Sequence, residues 1–185
     1  MKRLACLLLV LCLTGCVSAK SEIERGMALR SRLLQAESCS FDAAITADYG
    51  DHVYQFEIYC EGNSSGDLTF TVKSPESISG ITGRMDAEGG KLTFDSTVLH
   101  FDPVADDQLS PVAAPWVFLN TLRSGYLTSA GMEEEFLRLT IDDTYEDDAL
   151  QLDIWLGEGD IPIRCEILHD GRRILSLDVA NFQIP

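Results

Sequence analysis

The sequence predicts an α+β domain in which antiparallel strands are joined by short turns, with one helix before the strands and one inserted among them. Three observations indicate this class. Apolar residues first recur at helical spacing, between residues 22 and 37. Apolar and polar residues then alternate with a period of two along most of the chain, and turns rich in Gly and Asp separate the alternating runs. The 185 residues, 45% of them hydrophobic, suffice for one domain with a sizeable core.

The N-terminus resembles the signal of a bacterial lipoprotein. Two basic residues precede a continuous apolar stretch over residues 4–13, which is too short to cross a bilayer of about 30 Å as a helix. Leu13-Thr14-Gly15-Cys16 follows and resembles a lipobox, in which the cysteine is acylated and becomes the first residue of the mature chain. The alternative is an ordinary secretory signal that is cleaved after a small residue such as Ala19.

These signals divide the chain into three parts. We predict a signal peptide over residues 1–15, a lipidated tether over residues 16–20 and a folded domain over residues 21–185. Two or three acyl chains on one cysteine hold a protein stably on a membrane, whereas a single chain gives marginal binding. Cys16 is therefore predicted to anchor the domain to the extracytoplasmic face of the bacterial cell membrane.

The chain is strongly acidic, with 30 Asp and Glu against 14 Lys and Arg and a formal net charge of −16. Loss of residues 1–15 removes Lys2, Arg3 and no acid, which leaves a net charge of −18. Proteins that hold nucleic acid through its phosphates need a basic surface, so the composition excludes that class. Electrostatic docking on an anionic membrane is disfavoured for the same reason.

The first helix is predicted over residues 22–37. Ser21 and Glu24 form a Ser-x-x-Glu capping box, which satisfies free amides at a helix start. The apolar residues near one face are Ile23, Met27 and Leu34, and the face is widened by Leu29 and Leu33. The arginines of this helix are Arg25, Arg30 and Arg32. They form either a solvated outer face, which we favour, or a basic patch for an acidic partner.

Alternating runs predict the strands of the sheet. In chain order they cover residues 41–48, 52–60, 68–72, 78–85, 91–94, 97–101, 137–141, 150–156, 161–168 and 174–184. Prolines punctuate a loop over residues 102–115, and a very apolar helix then runs from Trp116 to a stop at Gly125. This helix must be buried against the sheet, because soluble proteins avoid exposing such a patch.

This order of elements is similar to that of the LolA/LolB-like family, whose fold is an incomplete antiparallel β-barrel closed by helices over an apolar cavity. The similarity is carried by Phe41-Asp42-Ala43-Ala44-Ile45, Ser74-Pro75-Glu76-Ser77-Ile78-Ser79-Gly80-Ile81, the Pro-rich loop before Trp116, Gly159-Asp160-Ile161-Pro162-Ile163-Arg164, and Val179-Ala180-Asn181-Phe182. Within that family the chain looks more like the membrane-anchored lipoproteins of spore-forming Gram-positive bacteria, the GerS-like germination lipoproteins. The resemblance implies a partner-binding protein of the cell envelope.

Two departures from the family qualify what the resemblance implies. LolA proper is a free periplasmic carrier and not a lipoprotein, so the predicted anchor argues against shuttling. LolB is anchored and carries a protruding apolar loop, for which Leu109 is the candidate in this chain.

The sequence holds no pattern of catalytic or metal-binding residues. None of His52, His100 and His169 has another histidine three or four positions away, and no Gly-x-Ser-x-Gly motif is present. The acidic runs at 133–135 and 142–148 lack the central glycine and the spacing of a calcium loop. We therefore predict neither an enzyme nor a cofactor.

After loss of the signal and acylation of Cys16, the remaining cysteines are Cys39, Cys60 and Cys165. Their spacing supports neither a zinc site nor a thioredoxin-type motif. They are predicted to be small apolar core residues. The alternative is one disulfide, most plausibly through Cys60, with a leftover thiol.

The candidate ligand-cavity residues are Ile45, Phe56, Phe70, Trp116, Phe118, Leu152 and Ile154. They could line a cavity that holds an acyl chain beneath the Trp116 helix, or they could simply fill the core, as side chains of small barrels usually do. We predict a non-catalytic binding module for an envelope protein, with a cell-wall enzyme as one candidate partner. The alternative is a lipid or lipoprotein carrier that holds an acyl chain in the barrel.

Overall fold

The computed structural model describes residues 21–50, 52–95, 97–102, 104–105, 108–146 and 148–185. The predicted signal peptide, the tether and Cys16 lie outside the described residues. The division into signal, tether and domain therefore stays a prediction. In the part of the chain that is described, no helix is both long enough and apolar enough to span a membrane.

The secondary structure follows the predicted alternation closely. Helix α1 covers residues 21–35 and helix α2 covers Ala114–Ser124. The strands are β1 (Ser38–Asp48), β2 (Val53–Asn63), β3 (Leu68–Ser74), β4 (Thr82–Asp86), β5 (Gly89–Phe94), β6 (Thr97–Phe101), β7 (Val104–Ala105), β8 (Gln108–Leu109), β9 (Tyr126–Glu133), β10 (Phe136–Asp142), β11 (Gln151–Leu156), β12 (Pro162–His169) and β13 (Arg172–Gln183). Short 3-10 helices lie at Glu76–Ile78, Pro111–Ala113 and Glu158–Asp160.

Within the described residues, eleven strands form one antiparallel sheet in the order β6-β5-β4-β3-β2-β1-β13-β12-β11-β10-β9. The outermost strands, β6 and β9, do not pair with each other, so the barrel is not closed. The pairing of β1 with β13 joins the two halves of the chain at the middle of the sheet. Both helices contribute fully buried side chains to the core on the inner face, Leu29 from α1 and Phe118 from α2 among them. The predicted fold class, an α+β incomplete antiparallel barrel with two helices, is confirmed.

The buried face of α1 is only part of the predicted apolar face. Ile23, Met27 and Leu34 are largely exposed, at 43%, 45% and 61%. Leu29 and Leu33, the two residues that widen the predicted face, are buried on the same side as Gly26. A Cβ atom at Gly26 would lie 2.9 Å from Cδ2 of Leu139, so the missing side chain lets α1 approach β10 closely. Close backbone approach at a glycine therefore decides the orientation of this helix.

Two further segments differ from the prediction. The predicted strand over 78–85 begins only at Thr82, because Glu76–Ile78 forms a 3-10 helix ahead of it. Strand β9 is not predicted at all, and the reason lies in its position: as the last strand of the sheet it has one neighbour, and none of its residues is fully buried. A strand in that position needs no regular apolar alternation.

The cysteines Cys39, Cys60 and Cys165 are all free and buried. This agrees with the predicted core role and not with a disulfide. Burial raises the pKa of the Cys60 and Cys165 thiols well above the ordinary value, and it also raises the pKa of Cys39, where the nearby Arg123 partly offsets the effect. Thiols with raised pKa values hold little of the reactive thiolate at neutral pH.

Alkylation therefore provides a test of this core. Iodoacetamide at neutral pH is expected to leave all three cysteines of the native domain unlabelled, because each is buried and protonated. In guanidinium chloride without reductant, all three should be labelled, as shown by the mass of the intact protein. Labelling of a single cysteine in the denatured protein would reveal a disulfide and contradict the structure.

Candidate functional site

The structure brings the candidate ligand-cavity residues together at the inner face of the sheet. The strand residues are buried, at 1% exposure for Ile45, 9% for Phe56, 3% for Phe70 and 0% for Leu152 and Ile154. Phe118 of α2 is also fully buried, and Trp116 is partly buried against the same core. These side chains belong to one continuous hydrophobic cluster. Their role as ligand contacts stays a prediction, because the cluster is packed with its own side chains.

Phe118 occupies the centre of the space between α2 and the sheet. Its ring meets Phe41 edge to face, with 5.6 Å between the centroids, and lies 6.4 Å from Phe182. Phe41 and Phe182 are stacked on each other at 5.4 Å. Three rings in these geometries fill the interior with favourable contacts, each pair being worth about 0.5–1.5 kcal/mol beyond the burial of its apolar area.

Polar contacts hold α2 against the sheet. Trp116 Nε1 donates a hydrogen bond of 2.9 Å to the carbonyl oxygen of Gly66, in the β2–β3 turn. Arg123, which is 9% exposed, donates to the carbonyl oxygen of Asn63 at 2.8 Å. The helix also lies directly on β2, since a Cβ atom at Gly62 would be 2.3 Å from Cδ2 of Leu119. A lid that opens for an acyl chain would have to break all of these contacts.

The arginines of α1 lie on a partly solvated face, since the Arg25 side chain is 40% exposed and Arg32 is exposed, but each also contacts a distant segment of the chain. Arg25 donates to Oδ1 of Asp160, at 2.5 Å from its Nη2 atom. Arg32 donates to the carbonyl oxygens of Gly159 and Asp160, at 3.3 and 3.1 Å. Arg30 donates to the carbonyl oxygen of Leu122 in α2, at 2.8 Å. All three arginines therefore hold the helix against the rest of the fold. Their partners are 92 or more residues away in the sequence, so local sequence patterns cannot predict these contacts.

The outer face of the sheet carries a second set of charged residues. Asp153 is 2% exposed and accepts hydrogen bonds from Arg138 at 2.6 Å and from Thr140 at 2.8 Å. Trp155 lies between Arg138 and Arg164 on the two neighbouring strands, whose guanidinium carbons are 5.3 and 5.1 Å from its ring centroid. The ring is thus already engaged by cations, and the Asp153 carboxylate is already paired with Arg138. This arrangement stabilises this part of the sheet.

Exposed apolar residues lie on several elements, Leu34 of α1 and Val53 of β2 among them, and a group of three lies on the β5–β6 pair. Phe94, Val98 and Leu99 are 56%, 52% and 62% exposed. β6 is also the end of the sheet. Sequence reasoning missed this surface because β5 and β6 carry the same kinds of apolar residues as the buried strands. The strand order, which periodicity does not reveal, leaves these residues uncovered.

The three histidines lie on separate elements of the fold. His52 lies beside Tyr54, with 6.3 Å between the ring centroids, while His100 belongs to β6 and His169 ends β12. Among the described residues, no three His, Cys, Asp or Glu side chains form a group that could hold a metal ion. Asp143 lies near His169 in one groove, and burial raises the pKa of this carboxyl. Asp143 also accepts a hydrogen bond of 2.8 Å from the Leu150 amide, which is a structural contact of the turn.

Leu109 does not protrude. The side chain is 3% exposed, and the carbonyl oxygen of the residue accepts a hydrogen bond of 2.7 Å from the Tyr49 hydroxyl. The suggestion that it corresponds to the protruding apolar loop of LolB is therefore wrong. Leu109 instead lies beside Tyr49, just after β1, and joins the core.

Comparison with known proteins finds likeness only at the level of structure. No model of a known protein family matches this sequence, and no curated protein matches it either. The fold is similar to that of the LolA superfamily protein NE2245 from Nitrosomonas europaea, with a TM-score of 0.49, 10% identity, and coverage of 86% of this chain and 93% of that chain.

Two further solved structures resemble the fold. One is a putative outer membrane lipoprotein-sorting protein domain from Vibrio parahaemolyticus, with a TM-score of 0.47, 7% identity, and coverage of 89% of this chain and 92% of that one. The other is a chain in the structure of the CwlD amidase from Clostridioides difficile in complex with the GerS lipoprotein, with a TM-score of 0.45, 12% identity, and coverage of 91% and 97%. LolA superfamily proteins and a GerS complex are thus among the solved structures that this chain resembles, and the likeness concerns the fold alone.

Proposed function

We propose that this protein is a lipid-anchored binding module on the extracytoplasmic face of the bacterial cell membrane. It holds another envelope protein, with a cell-wall enzyme as the candidate partner, and catalyses no reaction itself. The observation that carries the proposal is a contrast between two apolar surfaces. The inner face of the sheet is occupied by the protein's own side chains, whereas the β5–β6 pair presents Phe94, Val98 and Leu99 to solvent. Phe94 and Leu99 lie on one face of this pair and Val98 lies on the other. Uncovered apolar residues that share a face, as Phe94 and Leu99 do, are typical of protein-interaction surfaces.

The packed interior favours a protein partner over a lipid. An acyl chain could enter beneath α2 only by displacing Phe118, which is fully buried against Phe41 and Phe182. Removing a buried phenylalanine from a core costs about 3–5 kcal/mol. The hydrogen bonds of Trp116 and Arg123 to the β2–β3 turn would also have to break. The carrier function is therefore the competing outcome of the test below.

The test combines native mass spectrometry with affinity capture of the mature lipoprotein after mild detergent extraction. The intact mass is expected to equal that of the polypeptide with the acyl groups on Cys16 and no additional lipid. Capture from solubilised envelopes should recover one protein in stoichiometric amount. Leu99→Asp should lose that protein, because it places a charge on the exposed β6 surface.

Met132→Asp is the matched control. Met132 is 49% exposed, against 62% for Leu99, but it lies on β9 at the opposite end of the sheet. The control should therefore retain the partner. A lipid bound in stoichiometric amount beyond the anchor would contradict the proposal and favour the carrier.

A further inference from the structure

We propose that the partner is held by strand addition: an extended segment of the partner pairs with the free edge of β6, and basic side chains of that segment lie against an acidic groove beside this strand. The inference rests on the proposed function, because it specifies where and through which chemistry the partner binds. Extended peptides commonly bind proteins by adding a strand to an exposed sheet edge.

The free edge of β6 follows from the strand order and the register. Among the described strands, β6 pairs only with β5. Phe94 pairs with Thr97 and two residues separate them, so this pair closes a tight hairpin with hydrogen bonds. Bonded and non-bonded pairs alternate along antiparallel strands. Val98 and His100 are therefore the residues whose backbone N–H and C=O groups point away from β5, towards the free edge.

The side chains of β6 are suited to a neighbouring strand. Val98 and Leu99 lie on opposite faces of the strand and are 52% and 62% exposed, so both faces are uncovered at this edge. Edge strands of native proteins are usually protected by lysine, proline, a bulge or a covering segment. β6 has the sequence Thr-Val-Leu-His-Phe, with neither lysine nor proline, and it pairs with β5 in an unbroken register. Its short length is therefore its main protection against pairing with other strands. An added strand would cover both apolar side chains through cross-strand contacts.

The charge of a groove beside β6 indicates which kind of partner segment fits there. A groove of about 430 Å³ lies between the β4–β5 turn and the end of β6. Its ionisable residues are Asp86, Glu88, Lys91, His100 and Asp102. Three carboxylates thus face one lysine and a histidine. Arg84 adds little compensation, since it binds Asp67 at 2.8 Å and reaches Asp86 only at 4.0 Å. The groove therefore favours lysine or arginine on the partner.

The same charge disfavours a second copy of this chain as the occupant. Each mature copy carries a predicted net charge of −18 and would bring its own acidic groove to the contact. The opposite edge of the sheet is also less available. Met132 of β9 contacts Arg25 of α1, with 3.6 Å between Sδ and Nη1, and Tyr126 lies against Tyr145. β6 is therefore the edge that the observations favour.

The test uses the full lipidated chain in detergent micelles and two blocked peptides, Lys-Val-Thr-Val-Thr-Val-Lys and Glu-Val-Thr-Val-Thr-Val-Glu. Both can form the same strand, and they differ only in the sign of the end charges. The lysine peptide is expected to shift the backbone amide signals of Val98 and His100 saturably in nuclear magnetic resonance spectra and to slow their hydrogen exchange. The glutamate peptide should bind about tenfold more weakly or less well still.

Two variants of one residue separate backbone pairing from side-chain contact. His100→Pro removes the outward amide without removing a bond to β5, a substitution that an edge strand tolerates. His100→Ala removes the imidazole and keeps the amide. His100→Pro is expected to bind the lysine peptide about tenfold more weakly than His100→Ala. Far-ultraviolet circular dichroism and thermal unfolding should show that both variants keep the fold.

Several results would overturn the inference. Equal binding of the two peptides would remove the role of charge, and equal binding by the two variants would remove strand addition. Self-association of the chain through β6 would replace the partner with a second copy. If neither peptide binds while Leu99→Asp still abolishes capture of the partner, strand addition is wrong and the proposed function stands. A stoichiometric bound lipid in native mass spectrometry would contradict the proposed function itself.

Discussion

Replacing Phe118 with alanine is expected to lower the free energy of unfolding by about 3–5 kcal/mol. The ring is fully buried and lies 5.6 Å from Phe41 and 6.4 Å from Phe182, measured between centroids. Its removal leaves a cavity that α2 cannot close easily, because Trp116 and Arg123 bind the helix to the β2–β3 turn. Native domains are stable by about 5–15 kcal/mol in total, so the loss should be large in urea unfolding followed by circular dichroism.

The matched control for this variant is Leu99→Ala. Leu99 is apolar too but 62% exposed, and surface truncations usually change stability by less than about 0.5 kcal/mol. A loss of less than about 1 kcal/mol for Phe118→Ala would contradict a tightly packed interior. In that case the space beneath α2 would be compliant, and the carrier function would gain support.

Replacing Cys16 with alanine is expected to release the protein from the membrane fraction completely. The lipobox pattern predicts that this cysteine carries two or three acyl chains, which together give stable anchoring, and alanine cannot accept them. Fractionation with immunoblotting would show the change of compartment, and the intact mass would show the loss of the acyl groups.

Ser18→Ala is the control for the anchor. Ser18 belongs to the predicted tether but not to the lipobox, so this variant should stay in the membrane fraction with its acyl groups. Retention of Cys16→Ala in the membrane fraction after a high-salt wash would show that the anchor lies elsewhere. The ordinary secretory signal, cleaved after Ala19, would instead leave the wild-type protein without acyl groups.

The elements that could be predicted from the sequence are those buried on one face. β10 shows this most clearly: Leu137, Leu139 and Ile141 alternate in the sequence and are buried at 0–1% exposure, whereas the residues between them are not. β9 escapes prediction because an edge strand needs no apolar alternation. The start of β4 escapes because a 3-10 helix precedes it and takes up Ile78, which by pattern alone belongs to the strand.

Some properties of the candidate site can likewise be predicted from the sequence, and others cannot. Burial of Ile45, Phe118 and their neighbours follows from period and apolar character. Whether they enclose a cavity depends on ring geometry and on the hydrogen bonds of α2, which join residues about 50–60 positions apart and leave no local pattern. The exposure of Leu99 depends on strand order, which sets β6 at the end of the sheet. Neither property can be obtained from spacing along the chain.

The contacts of α1 decide where a mechanical load enters the domain. A pull on the chain ahead of Ser21 acts first on the opening turns of this helix. Arg25 is joined there to Asp160, and Arg32 to the backbone of the same turn. The load therefore passes into the β11–β12 connection, whose two strands are the third and fourth from the β9 end of the sheet. These contacts, and that of Arg30 with α2, must break before the helix can be drawn out, and none of them lies on β6.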